Sequence, residues 1–117
     1  MAKRTGLAGV GDAIRRQLMD PAAKIQRRIE KIKRELAELG DMRPGSLSVQ
    51  KRSWGGRYYQ LSYTHQGRGH TQYVPRQQLQ EIRSQVANYR KFRRLTQEWV
   101  ALSLQLSALN TPHNILP

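Results

Sequence analysis

From Arg76 to about Asn110 the chain reads as one long helix, stopped by Asn110, Thr111 and Pro112. At about 1.5 Å per residue it would reach about 50 Å. The whole chain is 117 residues, one domain by length, so its modest core cannot enclose such a helix, and the helix must find partners for its apolar side. That side is not continuous. Leu79, Ile82, Val86 and Tyr89 share one face, whereas Phe92, Leu95, Trp99, Leu102, Leu106 and Leu109 lie more than about 100° around the helix. Val100 and Leu104 return to the first face. Either the helix breaks near Tyr89–Arg94, or its two halves pack against different bodies. The first half is expected to cover a sheet. The second half, apolar on two sides, asks for a helical bundle, and one short chain offers little to fill it. Trp99, Val100, Leu102, Leu104 and Leu106 are therefore the candidate residues for a homodimer contact or for a larger protein partner.

Residues 1–19 read as a flexible basic arm, with Asp12 placed to cap a short helix over Ala13–Met19. Asp20-Pro21 is a stronger helix start: a capping carboxylate, then a proline at the first helical position. The helix it opens should run to about Leu39 and stop at Gly40. Its apolar residues, Ile25, Ile29, Ile32, Leu36 and Leu39, are spaced 4-3-4-3, a heptad seam. Two readings fit: a solvated helix packed on the domain, or a coiled-coil partner for the C-terminal helix.

After the Met42-Arg-Pro-Gly turn come three alternating segments. Ser46–Arg52 sets Leu47 and Val49 against Ser48, Gln50 and Arg52. Arg57–Thr64, beyond a Trp54-Gly-Gly turn, sets Tyr59, Leu61 and Tyr63 against Tyr58, Gln60, Ser62 and Thr64. His65-Gln-Gly-Arg-Gly reads as a hairpin loop, and His70–Val74 closes the sheet before Pro75. The fold class is α+β: an N-terminal helix, a three-stranded antiparallel β-meander and a long C-terminal helix, forming a single domain over residues 20–110 with a tail at 111–117.

Charge gives the functional direction. The formal net charge is +13, and between Asp41 and Glu81 there is no acidic residue, while Arg43, Lys51, Arg52, Arg57, Arg68 and Arg76 all fall there. The flanking helices mix both signs. An acid-free sheet in so basic a chain suits a polyanion, whose phosphates shed counterions when arginine and lysine neutralise them. Arg76, Arg83, Arg90 and Arg94, at spacings of 7, 7 and 4, form a row able to track a phosphate backbone; the plain alternative is a solvated face opposite the core stripe. Gln50, Arg52, Gln60 and Tyr58 sit on the polar sheet face, where donors can reach base edges. Tyr58, Tyr59, Tyr63 and Tyr73 could stack on bases, although such tyrosines more often fill a core. Trp54, in a glycine turn, is the better stacking candidate.

Other chemistry finds little support. No cysteine is present, so disulfides and thiolate metal sites are out. His65, His70 and His113 lack the spacing of a metal site, and no acidic cluster suits Mg²⁺. The reading is no catalysis, no metal, no cofactor and no small-molecule substrate. No apolar run approaches the length of a membrane span, and the first residues do not resemble a secretory signal. The expected location is the cytoplasm, in association with the nucleoid or a ribonucleoprotein.

Met42-Arg-Pro-Gly-Ser-Leu, Arg57-Tyr-Tyr-Gln-Leu-Ser-Tyr-Thr, Gln72-Tyr-Val-Pro and Val86-Ala-Asn-Tyr-Arg-Lys-Phe-Arg-Arg-Leu together resemble a small prokaryotic family of basic proteins encoded beside transposase genes. The resemblance covers about residues 42–110. Many members carry a Cys-rich insert between the first two strands; here Val49-Gln-Lys-Arg-Ser-Trp-Gly-Gly-Arg stands in that place, with no metal knuckle and a tight basic hairpin. The resemblance implies an accessory to a mobile genetic element. The sheet-then-helix order also looks like the arm-type DNA-binding domains of tyrosine recombinases, as a fold analogy. The expected function is non-catalytic binding of DNA, favoured slightly over structured RNA. The alternatives are an oligomerisation or adaptor protein for a partner such as a transposase, and a ribosome- or RNP-associated protein.

Overall fold

The computed structural model describes residues 11–15 and 20–111. The arm expected over residues 1–10, the helix expected to continue over 16–19 and the tail from 112, with His113, lie outside the described residues. Residues 11–15 are helical. The elements that follow are α1 (Pro21–Ala37), β1 (Ser46–Lys51), β2 (Arg57–His65), β3 (Arg68–Val74) and α2 (Arg76–Asn110). The expected α+β order of helix, meander and long helix is the one observed.

Contacts divide the chain into two compact units. One is Glu38–Leu95; the other joins residues up to Ala37 with those from Thr96 onward. α2 is a single unbroken helix, so the displaced apolar stripe does not mark a break near Tyr89–Arg94. Its two halves serve different bodies, the second of the two outcomes read from the sequence.

In the Glu38–Leu95 unit the sheet order is β1-β2-β3, antiparallel throughout. Leu47 pairs with Leu61, Val49 with Tyr59, and Tyr59 with Val74. Directly paired residues share a face, so these form the inner one. Leu61, Val74, Ile82 and Val86 make the buried cluster, with Leu47, Tyr59, Tyr63 and Leu79 packed on it. The first half of α2 thus covers one sheet face, as expected. Ser48, Gln50, Tyr58, Gln60, Ser62 and Tyr73 alternate onto the other.

The β2–β3 connection is tighter than the five-residue loop read from the sequence. His65 pairs directly with Arg68, leaving Gln66 and Gly67 alone in the turn, at φ 52° and 78°. Two successive left-handed residues make the primed turn whose twist matches a hairpin. Gln66 is not a customary residue there, so the signal is weak in sequence. Arg68 and Gly69 consequently belong to β3.

Gly45, at the entry to β1, has φ 149°, and a Cβ there would fall 2.5 Å from Leu61 Cδ1. Leu61 is fully buried and has nowhere to retreat. Gly45→Ala is expected to cost about 1–3 kcal/mol and lower the thermal midpoint by several degrees in a circular-dichroism melt; an unchanged melt would mean that β1 can shift away from Leu61.

In the other unit, Asp20 caps α1 as anticipated: Ala22 N–H donates to the Asp20 carboxylate (3.1 Å) and Lys24 N–H to its carbonyl (2.9 Å). Ile29 and Ile32 of the heptad seam are buried. α1 lies beside the C-terminal half of α2: Arg28 Nε and Nη2 donate to the two Glu98 carboxylate oxygens at 2.5 and 2.7 Å, and Lys33 Nζ sits 5.5 Å from the Trp99 ring centre. Donating these hydrogen bonds to the Glu98 carboxylate holds the Arg28 guanidinium protonated above the ordinary arginine range. Among the described residues, no helix is long and apolar enough to cross a membrane.

Candidate nucleic-acid interface

The β1–β2 connection builds the first part of the site. Arg52 N–H donates to the Gly56 carbonyl at 2.7 Å, and Gly55 N–H donates to the Arg52 carbonyl at 3.1 Å. Gly55 takes φ 97°. This closes the loop and folds the Trp54 ring back: a Cβ on Gly56 would stand 3.0 Å from Trp54 Cζ3. Trp54 is nevertheless 75% exposed, in line with its reading as an exposed aromatic. The Arg52 guanidinium carbon lies 5.2 Å from the Trp54 ring centre and 4.6 Å from that of Tyr58. Both distances are within cation–π range, so Arg52 is held between two rings.

The ladder continues across the sheet. Tyr73 pairs with Gln60, which makes it a diagonal neighbour of Tyr58, two residues earlier on β2. Their ring centres are 6.2 Å apart, with planes inclined by 42°, and Tyr73 is 59% exposed. Trp54, Arg52, Tyr58 and Tyr73 thus form one aromatic track with a guanidinium set in it. Gln50 and Gln60 stand beside the track on the same face, and Gln50 Nε2 donates to Ser48 Oγ at 3.0 Å.

Where β3 ends, a notch opens. Val74, the last β3 residue, pairs with Tyr59, but β2 begins two residues earlier, at Arg57. Pro75 has no N–H with which to extend the ladder, and the chain turns into α2. The resulting depression, about 440 Å³, is lined by Tyr58, Tyr59, Tyr73 and the valines Val49 and Val74, with Arg57, Arg76 and Gln77 around it. Arg57 and Arg76 are exposed and have no ion pair within the described residues. Arg83, one heptad beyond Arg76, has its guanidinium 5.4 Å from the Tyr59 ring centre. The Arg76/Arg83 edge of α2 therefore borders the sheet, and both arginines stay exposed to solvent, as a solvated face would also have them. Asp41 and Glu81 of this unit line a neighbouring polar groove with Gln85 and Asn88, which adjoins the notch at Gln77.

The structure thus brings together Arg52, Trp54, Arg57, Tyr58, Arg76 and Arg83, with Gln50 and Gln60 adjoining and the exposed Lys51 paired to Arg57. It separates others. Arg68 sits at the opposite hairpin, paired with His65, about 27 Å along β2 from Arg57 at roughly 3.4 Å per residue. Arg43 is on the helix side, its guanidinium 4.9 Å from the Tyr63 ring centre and its N–H donating to the Gln85 carbonyl at 3.2 Å. Arg90 and Arg94 are exposed farther along α2. Tyr58, Tyr59 and Tyr73 of the four tyrosines read as possible stacking residues line the notch, whereas Tyr63 packs on the core; the alternation at 70–74 carried the signal for Tyr73, but its neighbour depends on register. Of the self-association candidates, Trp99, Leu102 and Leu106 are half-buried, whereas Val100 and Leu104 are exposed. No group of three His, Cys, Asp or Glu able to hold a metal ion occurs among the described residues.

The model of a family described as a domain of unknown function, DUF6788, matches residues 22–84, more than half of the chain. The match takes in α1, the whole sheet and the start of α2, and so begins earlier and ends earlier than the 42–110 span of the resemblance noted in the sequence. No curated protein and no solved structure matches the chain.

Proposed function

This chain belongs to the DUF6788 family, and we propose that it is a non-catalytic nucleic-acid-binding protein whose binding surface is the open sheet face together with the Arg76/Arg83 edge of α2. The observation that carries the proposal is the continuity of that surface. An aromatic track holding Arg52 runs into a notch edged by Arg57 and Arg76, in a stretch free of acidic residues from Met42 to Gln80. Guanidinium groups supply sequence-independent affinity for phosphates, and exposed rings supply contact with bases. The likeness of residues 42–110 to proteins encoded beside transposases supports an accessory role in a mobile genetic element.

The test contrasts two pairs of cations. Arg52→Ala with Arg57→Ala is expected to weaken binding to a labelled oligonucleotide by about tenfold or more. Lys31→Ala with Lys33→Ala is expected to change it little, because α1 mixes signs and Lys33 already bonds Glu30 at 3.2 Å. Equal losses would mean diffuse attraction and no dedicated surface.

A second reading, an oligomerisation or adaptor role, is favoured by one feature: Val100 and Leu104 are 60% and 67% exposed on the C-terminal half of α2. It is compatible with the first, since the two use different stretches of the chain.

A further inference from the structure

We infer that the notch at the end of β3 receives a single unpaired nucleotide, so that this surface selects nucleic acid with an extruded or single-stranded base over flush duplex. The inference rests on the nucleic-acid reading above and narrows it to a class of ligand. Its basis is the chemistry of the notch. The exposed side chain of Val49 and the rings of Tyr58, Tyr59 and Tyr73 offer contacts to a flat aromatic ligand, whereas a phosphate alone would gain nothing from them. Arg57 and Arg76 offer free guanidinium groups for the phosphates on either side of that nucleotide. A volume of about 440 Å³ lies within the range of small-molecule sites and suits one nucleotide.

Geometry argues against a paired base. Inside a duplex the base faces are covered by stacking neighbours, and only an unstacked base can present a face to a tyrosine ring. The approach to the notch is itself a stacking track: Tyr73 lines the notch and contacts Tyr58, and Tyr58 contacts the Arg52 guanidinium held against Trp54. A strand lying along it could stack neighbouring bases on Trp54 and Tyr73 while one nucleotide enters between Arg57 and Arg76. The first turn of α2, beside the notch, contains no acidic residue to repel a phosphate.

The experiment measures binding of the full chain, at one fixed salt concentration, to three labelled probes: a flush duplex, the same duplex with a one-nucleotide bulge, and the corresponding single strand. The bulged duplex and the single strand are expected to bind about tenfold tighter than the flush duplex. Tyr73→Ala should bring that preference close to unity, and Tyr73→Phe should keep it, since stacking needs the ring and not the hydroxyl. Circular dichroism confirms folding of each variant; Tyr73 is exposed, and Arg76→Ala, also at an exposed site, gives a second lesion of the notch. Equal affinity for all three probes would overturn the unpaired-nucleotide assignment and leave the broader nucleic-acid reading standing. A preference unchanged by both Tyr73→Ala and Arg76→Ala would also overturn it, by placing the selectivity elsewhere. Absence of binding to every probe at low salt would overturn both.

Discussion

Raising the salt from about 50 mM to about 200 mM is expected to weaken single-strand binding roughly fiftyfold. The figure follows from the number of guanidinium groups on one surface. Arg52, Arg57, Arg76 and Arg83 meet around the aromatic track and the notch. Each phosphate neutralised on a single strand contributes a slope of about −0.7 in log affinity against log salt, so four give about −2.8. On B-DNA the same four would give about −3.6, a loss of roughly 150-fold over that range. The slope separates focused from diffuse attraction. If the whole net charge of +13 took part, a single strand would give a slope near about −9. A titration at three salt concentrations by fluorescence anisotropy reads the slope directly. A value near zero would remove phosphates from the mechanism, and one near the whole-charge limit would remove the dedicated surface.

Much of the architecture is legible in the sequence because strong local signals coincide with tertiary need. Asp20-Pro21 starts α1, Pro75 separates β3 from α2, and the alternation of Leu47, Val49, Tyr59 and Leu61 puts the same residues on the same sheet face that the register does. The displaced stripe of α2 announces two packing partners. Periodicity could not say whether the helix would break to reach them, because an unbroken helix keeps every hydrogen bond if its surroundings supply two bodies. The His65–Gly69 segment misleads because Gln66 adopts a left-handed φ that its side chain does not advertise.

The site is less legible, for a different reason. Composition identifies a basic, acid-free stretch, but the grouping within it depends on sheet ends. Arg57 and Arg68 lie on the same strand pair, yet one meets the α2 start and the other a remote hairpin. Arg43 is near β1 in sequence and stacks over Tyr63 on the helix side. Tyr73 acquires Tyr58 as a neighbour only through the pairing of Tyr73 with Gln60. The notch exists because β3 stops before β2 does, a fact carried by Pro75 but visible only once the register is known.

Leu104→Glu is expected to weaken self-association by a hundredfold or more, at about two lost leucine burials per dimer and about 1.5–3 kcal/mol each. α1 carries six basic residues against two acidic ones, and that excess should oppose association between chains. The C-terminal half of α2 is different: between Thr96 and Thr111 its only charged residue is Glu98, already bonded to Arg28. Trp99, Leu102 and Leu106 are half-buried there, while Val100 and Leu104 stay open to solvent, with the exposed Ala101 and Ala108 close by on the helix surface. An uncharged apolar stripe on an otherwise cationic chain is where a two-fold contact would meet least repulsion. In a two-fold dimer each copy presents the same stripe, so one substitution removes two leucines and adds two carboxylates at the contact. Salt supplies an independent sign. Screening should strengthen contact between two chains of like net charge, whereas it weakens nucleic-acid binding. Light scattering across a concentration series, at low and high salt, with and without Leu104→Glu, reads both effects. A monomer at tens of micromolar in either salt, unchanged by the substitution, would exclude self-association and leave the exposed stripe to a different protein partner, as the adaptor reading requires.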